Sequence, residues 1–228
     1  MMRALVLDTE TTGLDPLNGD RIIEVAAIEI VNLVPTGRQF HRLLDPERDI
    51  PPEATRVHGF TAEMLAGKPR FVEIIPDLLA FLGDDPIIAH NAPFDFGFLD
   101  AEFARCGAPP LDRARMVDTL EIAKRRYPGL PNSLDALCRR FGIDLSQRTT
   151  HNALLDVRLL AEVHLELMGG RQPGLGLAAS AAAAAAAVEA AGPVARTPRL
   201  IPVPPERAEA HEAFLRAKVK DALWLKQG

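Results

Sequence analysis

The sequence predicts an α/β domain followed by a tail. Three observations carry this. Apolar runs of strand length, at residues 4–7, 21–31, 38–44 and 86–90, alternate with stretches of helical period. Glycines stop the helical stretches at Gly107, Gly142 and Gly169-Gly170. Beyond Gly170 the composition shifts to glycine, alanine and proline.

In chain order, residues 4–7 are continuously apolar, which suits a strand covered on both faces, and Thr12 and Gly13 break the run. Residues 21–31 (RIIEVAAIEIV) and 38–44 read as the next strands, with Pro35-Thr36-Gly37 as the turn between them. A helix is expected over 72–82, where Pro76 is tolerable only near the first turn. Residues 86–90 form a short apolar strand. Residues 94–105 are helical, with Phe94, Phe98, Ala101 and Phe103 marking one face. The segment MVDT, residues 116–119, leads into a further helix. Asn132 or Ser133 can cap a helix over 134–141. Residues 153–168 make the strongest helix, with Leu155, Leu159, Leu160, Val163 and Leu167 along it.

Three regions follow: a domain at 1–170, a linker at 171–204 and a terminal helix within 205–228. The linker reads as a tether whose alanine run can visit helix. The terminal stretch, residues 206–225, carries Phe214, Leu215, Val219, Ala222 and Leu223 as its apolar positions. One helix cannot bury its own stripe, so it is expected to dock on another surface.

Bulk properties exclude some classes. Of 228 residues, 47% are hydrophobic and 25% charged, as in an ordinary globular protein. A net charge of −5 and a pI near 5.7 do not suit a chain that grips long duplex DNA unaided, because that requires neutralising many phosphates. They permit a site that holds a few nucleotides through metals. Cys106 and Cys138 have no ligand spacing and read as reduced cytosolic thiols. The first apolar run is too short for a secretory signal, and nothing later is long enough to span a bilayer.

The chemistry lies in Asp8 and Glu10 (LVLDTETTGL), Asp95 (HNAPFDFGFLD), and His151 and Asp156 (HNALLD). A strand repeats its side-chain direction every second residue, so Asp8 and Glu10 point the same way. Clustered anions repel unless a cation neutralises them, and hard oxygen donors suit Mg²⁺ or Mn²⁺. Paired ions can stabilise attacking and leaving oxygens in a phosphodiester displacement. His151 fits a general base, because imidazole titrates near neutral pH. Its five-residue step to Asp156 spans roughly 140 degrees of an ideal helix, so the two cannot share a helical face. Asn152 is expected to cap the helix, with His151 reaching in from the preceding loop.

DTETTGL, HNAPFDFGFLD and HNALLD resemble the three motifs of the DEDDh family of 3′–5′ exonucleases. Within it the chain is similar to the epsilon proofreading subunits of bacterial DNA polymerase III. The likeness covers about residues 3–168 and implies a ribonuclease-H-like fold, a mixed central sheet flanked by helices. It implies that Asp8, Glu10, Asp95 and Asp156 bind two divalent ions, Mg²⁺ or Mn²⁺, with His151 as base. VHGFT, residues 57–61, is similar to a stretch that lines the family's substrate groove, which makes Val57 and His58 candidate substrate contacts with Thr11, Leu14, Asn91 and Phe94. The implied substrate is a single-stranded or frayed 3′ end of DNA. PERAEAHEAFLRAKVKDALW resembles the segment that binds the polymerase alpha subunit, with Phe214, Leu215 and Trp224 as contacts. Gln172, Leu175 and Leu177 resemble a sliding-clamp peptide, with leucine where phenylalanine is usual. A small theta-like subunit is a further implied partner. The implied location is the replisome in the bacterial cytosol, without a membrane.

Plainer readings stand beside these. Leu14 could wedge against a terminal base or be a buried loop leucine, and His58 could line the groove or support its loop. Phe94 could stack on a base or belong to the core, and His90 and Asn91 could touch substrate or form a turn. His41, His164 and His211 read as surface residues, Asp118 as a supporting or surface acid, and residues 124–126 and 139–140 as solvated basic faces. The site alone also admits an exoribonuclease or oligonucleotide-degrading enzyme, since sugar choice rests on contacts near the 2′ position. A catalytically silent polymerase accessory is the non-enzyme alternative, and the intact set of five residues argues against it.

Overall fold

In a computed structural model the described residues are 2–148, 150–170, 202–220 and 222. The chain divides into two units, Met1–Gly174 and Leu175–Gly228, and each is described by itself.

The first unit is built on five strands: β1 (Arg3–Thr11), β2 (Ile22–Val31), β3 (Val34–Leu43), β4 (Ile87–Ala89) and β5 (Met116–Asp118). Their order is β3-β2-β1-β4-β5. β1–β2 and β2–β3 are antiparallel, whereas β1–β4 and β4–β5 are parallel, so the sheet is mixed as expected. Helices are α1 (Pro52–His58), α2 (Ala62–Leu65), α3 (Phe71–Leu82), α4 (Ala92–Arg105), α5 (Thr119–Arg126), α6 (Leu134–Phe141) and α7 (Ala153–Leu167).

Strand alternation sorts β1 onto two cores. Leu5 and Leu7 pack with Phe71, Leu78, Phe96 and Phe103 of α3 and α4. Ala4 and Val6 pack with Val157, Leu160 and Ala161 of α7. Burying one such side chain contributes roughly 1.5–3 kcal/mol. Asp8 and Glu10 continue the Ala4–Val6 face, and so lie on the side of α7. A third cluster, around Leu137, Leu159, Val163 and Leu167, ties α6 to α7.

Several elements differ from expectation. The β2–β3 hairpin turns at Asn32-Leu33, both with positive φ, and not at Pro35-Thr36-Gly37. Those three residues lie in β3, where the register slips between Ile28 and Ile30. Asn32 tolerates the left-handed region, but Leu33 at φ 70 is no turn signal. Pro76 sits beyond the first turn of α3, on its exposed side, and supplies no N–H to the helical ladder. β5 is a strand and not merely a lead-in, and α1 and α2 fill a stretch with no expected helix. His164 is buried inside α7, and His41 is half-buried against Glu24.

In the second unit a helix, α8 (Pro205–Lys218), ends short of the expected 225 among the described residues. Phe214 is 57% exposed and Leu215 half-buried. Gln172, Leu175, Leu177 and Trp224 lie outside the described residues. Among the described residues no helix is long and apolar enough to cross a membrane.

Candidate active site

β1 brings Asp8 and Glu10 to one wall of a cleft of about 480 Å³. Opposite Glu10 in the ladder stands Glu24 of β2, fully buried. Its carboxylate accepts from the Ala153 backbone N–H at 3.0 Å, from Asn152 Nδ2 at 3.3 Å, and lies 2.7 Å from His41 Nε2. The start of α7 is thereby pinned beside β1. Asn152 caps α7, its side-chain oxygen accepting from the Leu155 N–H at 3.0 Å, as expected.

Asp156 follows in the first turn of α7, almost fully buried. His151 stands before the cap, half exposed; its backbone N–H donates to the Val57 carbonyl at 3.1 Å, which ties the loop to α1. Its Nδ1 is 3.8 Å from Asp156 Oδ2. Asp95 arrives in the first turn of α4 and is buried. The Thr9 hydroxyl, on the opposite face of β1 from Asp8, donates to Asp95 Oδ1 at 2.8 Å. All five expected residues therefore meet in one cleft.

The electrostatics of this cluster are unusual. Burial first, and then the charges of Asp95, Glu10, Asp156 and Glu24, hold the Asp8 carboxyl well above its ordinary range. Burial and then Asp156 and Glu24 push Glu10 up to about 8. Burial pushes Asp95 to about 7, against the restraint of the Thr9 hydroxyl. Such a set is short of positive charge. Ligand atoms of Glu10, His151 and Asp156 lie within 4.8 Å of one another. Asp8, Glu10 and Asp95, hard oxygen donors with no paired cation among the described residues, fit a divalent cation.

The cleft is also lined by Thr11, Leu14, Val57, His58 and Phe94. Leu14 is 84% exposed, which removes the buried-leucine reading and leaves an apolar side chain standing at the cleft. His58 is buried; its Nδ1 accepts from the Phe60 N–H at 3.0 Å, and Nε2 has no hydrogen-bond partner. Phe94 is half-buried and packs on Phe98 at 4.8 Å between centroids. Asn91 is not among the cleft-lining residues. It occupies the left-handed turn before α4, where its N–H donates to Asp118 Oδ1 at 3.0 Å. Asp118 also caps α5, so it supports the turn.

Sequence reasoning missed Arg148. Its Nε and Nη2 donate to the two oxygens of Asp156 at 2.6 and 2.7 Å, and Nη2 also lies 3.1 Å from His151 Nδ1. It also missed Glu24 and Thr9. The basic groups at 124–126 and 139–140 are structural in part: Arg126 donates to the Leu167 carbonyl at 2.5 Å and Arg140 to the Pro131 carbonyl at 2.7 Å.

A mixed sheet with carboxylates converging from β1, α4 and α7 defines a nuclease of the ribonuclease-H-like class. A family described as Exonuclease (RNase_T) matches residues 5–164. The DNA polymerase III subunit epsilon of Rickettsia conorii is 52% identical over 174 residues, covering 75% of this chain and 76% of that protein. Its counterpart from Escherichia coli K12 is 44% identical over 176 residues, covering 74% and 72%. A structure of exonuclease X in complex with 5′-overhanging duplex DNA is similar with a TM-score of 0.59 and 27% identity, over 72% of this chain and 90% of that one. The chain belongs to the exonuclease family, among its DNA polymerase III epsilon subunits. It is a 3′–5′ exonuclease whose activity depends on divalent metal, as the family's does.

Proposed function

We propose that this chain proofreads newly made DNA as part of a replicative polymerase, releasing nucleoside 5′-monophosphates one at a time from a mispaired 3′ end. Asp8, Glu10, Asp95 and Asp156 hold two divalent ions, Mg²⁺ or Mn²⁺. Bound there, such ions neutralise charge on the reacting phosphate and lower the pKa of water. His151 accepts the proton of the attacking water as the new P–O bond forms and the bond to the 3′ oxygen breaks, the departing 3′ oxygen taking a proton from solvent to leave as a hydroxyl. Leu14, Val57, His58 and Phe94 offer the terminal nucleotide apolar and stacking contacts. A mispaired end frays more cheaply, so it enters this single-strand cleft more often.

The observation that carries the reading is the meeting of Asp8, Glu10, Asp95, His151 and Asp156 in one cleft, with three of the carboxyls held at raised pKa. The epsilon relatives support membership of the polymerase. We assign α8, with Phe214 and Leu215, to the polymerase alpha subunit and residues 172–177 to a sliding clamp, with a small theta-like subunit as a further partner and the assembly in the cytosol. The test is hydrolysis of matched and mispaired 3′ ends, with RNA of the same sequence alongside. Faster removal of mispaired deoxynucleotides, abolished by Asp8→Ala, is expected. Preference for RNA, or an inert wild-type protein with Mn²⁺ present, overturns the reading.

A further inference from the structure

Arg148 holds the carboxylate and the imidazole on which the proposed reaction depends. Its side chain is only 9% exposed. Nε and Nη2 take both oxygens of Asp156, and Nη1 donates to Asp135 Oδ1 at 2.5 Å. The 3.1 Å contact between Nη2 and His151 Nδ1 is one-directional, because a guanidinium has donors only and stays protonated. His151 Nδ1 is therefore the acceptor. In a neutral imidazole the proton then sits on Nε2, and neither nitrogen has a free lone pair. As arranged, His151 has no nitrogen free to take a proton from water.

A guanidinium and a divalent ion cannot own the same pair of carboxylate oxygens. We propose that Arg148 is a positioning residue that couples cation seating at Asp156 to release of His151. This rests on the roles given above to Asp156 and His151. When a cation takes Asp156, the guanidinium turns outward on the bond it already makes to Asp135. Asp135 is half-exposed in the first turn of α6, and a cleft of about 340 Å³ runs from Asp8 and Asp156 past Arg148 to Ser133 and Asp135, so the space at Asp135 is continuous with the cation site and lets the side chain swing towards α6. Nδ1 is then unbound, and the imidazole regains the lone pair that a base requires. Without a cation the base stays latched, and with one it is freed.

Two measurements on the full-length chain test this. The first is the Mn²⁺ binding isotherm of wild type, Arg148→Gln, Arg148→Lys and Asp156→Asn. Removing the competitor should tighten Mn²⁺ binding about tenfold in Arg148→Gln. Arg148→Lys should fall between, since a shorter side chain ending in a point charge lacks the planar fork that fits both carboxylate oxygens. A merely structural arginine would lower the melting temperature on substitution without tightening Mn²⁺. Unchanged or weaker Mn²⁺ binding in Arg148→Gln overturns the latch. If Asp156→Asn binds Mn²⁺ as wild type does, the ligand assignment itself fails, and the latch with it. The second measurement needs no variant: nitrogen NMR of the His151 ring at a pH where it is neutral, before and after Mg²⁺. A bare Nδ1 whose resonance moves on adding Mg²⁺ supports the latch. A protonated Nδ1 beforehand, or no movement, overturns it.

Discussion

Glu24 faces Glu10 across the β1–β2 ladder, yet its oxygens bond not to β1 but to the start of α7. The helix that carries Asp156 is thus anchored to the strand beside the one that carries Asp8 and Glu10. Glu24→Ala would leave the buried Ala153 N–H, the half-buried Asn152 amide and His41 Nε2 without their carboxylate partner. The expected cost is about 2–3 kcal/mol of stability. That corresponds to a melting temperature lower by about 4–12 °C in a domain of this size, read by thermal denaturation. Retention of the wild-type melting temperature would remove Glu24 from the anchor.

Thr9→Val keeps side-chain shape but deletes the donor to Asp95 Oδ1. The Thr9 hydroxyl is the foremost of the hydrogen bonds that restrain the burial-driven rise of Asp95, so without it the carboxyl should climb above its present value near 7. Deprotonation to receive a cation becomes harder. Turnover near neutral pH should fall about tenfold, one pKa unit being worth ~1.4 kcal/mol, and higher pH should restore it. A loss that is the same at every pH would point to a packing defect instead.

The raised carboxyls give the metal-free protein a stability that depends on pH. Asp8, Glu10 and Asp95 bind protons more tightly folded than unfolded. Their stabilising contribution is complete below the unfolded carboxyl range, near 4, and is lost as pH rises through about 7 and about 8. With chelator present, the melting temperature should therefore fall between about pH 6 and pH 9. Mg²⁺ should recover it at the alkaline end, because the ion binds the deprotonated set. Proton release on titrating Mg²⁺ into protein near pH 7 would confirm the sign. A metal-free melting temperature that rises over this range would contradict it.

His151→Ala should lower kcat by about 10² to 10⁴. Its side chain is half exposed and lies outside all the apolar clusters, so the fold should persist, as circular dichroism and the melting point would report. An unchanged kcat would exclude it as the base.

What the sequence disclosed follows from the range of each signal. The two-residue step from Asp8 to Glu10 and the cap-plus-five step from His151 to Asp156 are local, so both were readable before folding. Glu24 was not: it is one glutamate in an alternating strand, and its partners lie 128 and 129 residues away. Arg148 stands three residues before His151 in a polar loop, and only the closed loop shows it holding Asp156. β5 has three residues, too few for any period to register. The hairpin was misplaced because Pro35-Thr36-Gly37 carries turn residues that serve a slipped register, while the real turn uses a leucine. His164 read as surface because it is polar, yet it falls on the buried face of α7 beside Leu160, Ala161 and Leu167; burial holds its pKa low.

The C-terminal unit should be separable from the chemistry. The five cleft residues all fall within residues 8–156, inside the first unit. α8 keeps Phe214 largely exposed, an apolar group with aromatic area to offer a partner. Deleting residues 205–228 should leave kcat on single-stranded DNA within about twofold of wild type, while co-purification with the polymerase is lost. Phe214→Ala with Leu215→Ala should weaken that association without touching hydrolysis. If the truncated chain still co-purified, the polymerase contact would belong to the exonuclease unit. If hydrolysis collapsed instead, the tail would be completing the cleft.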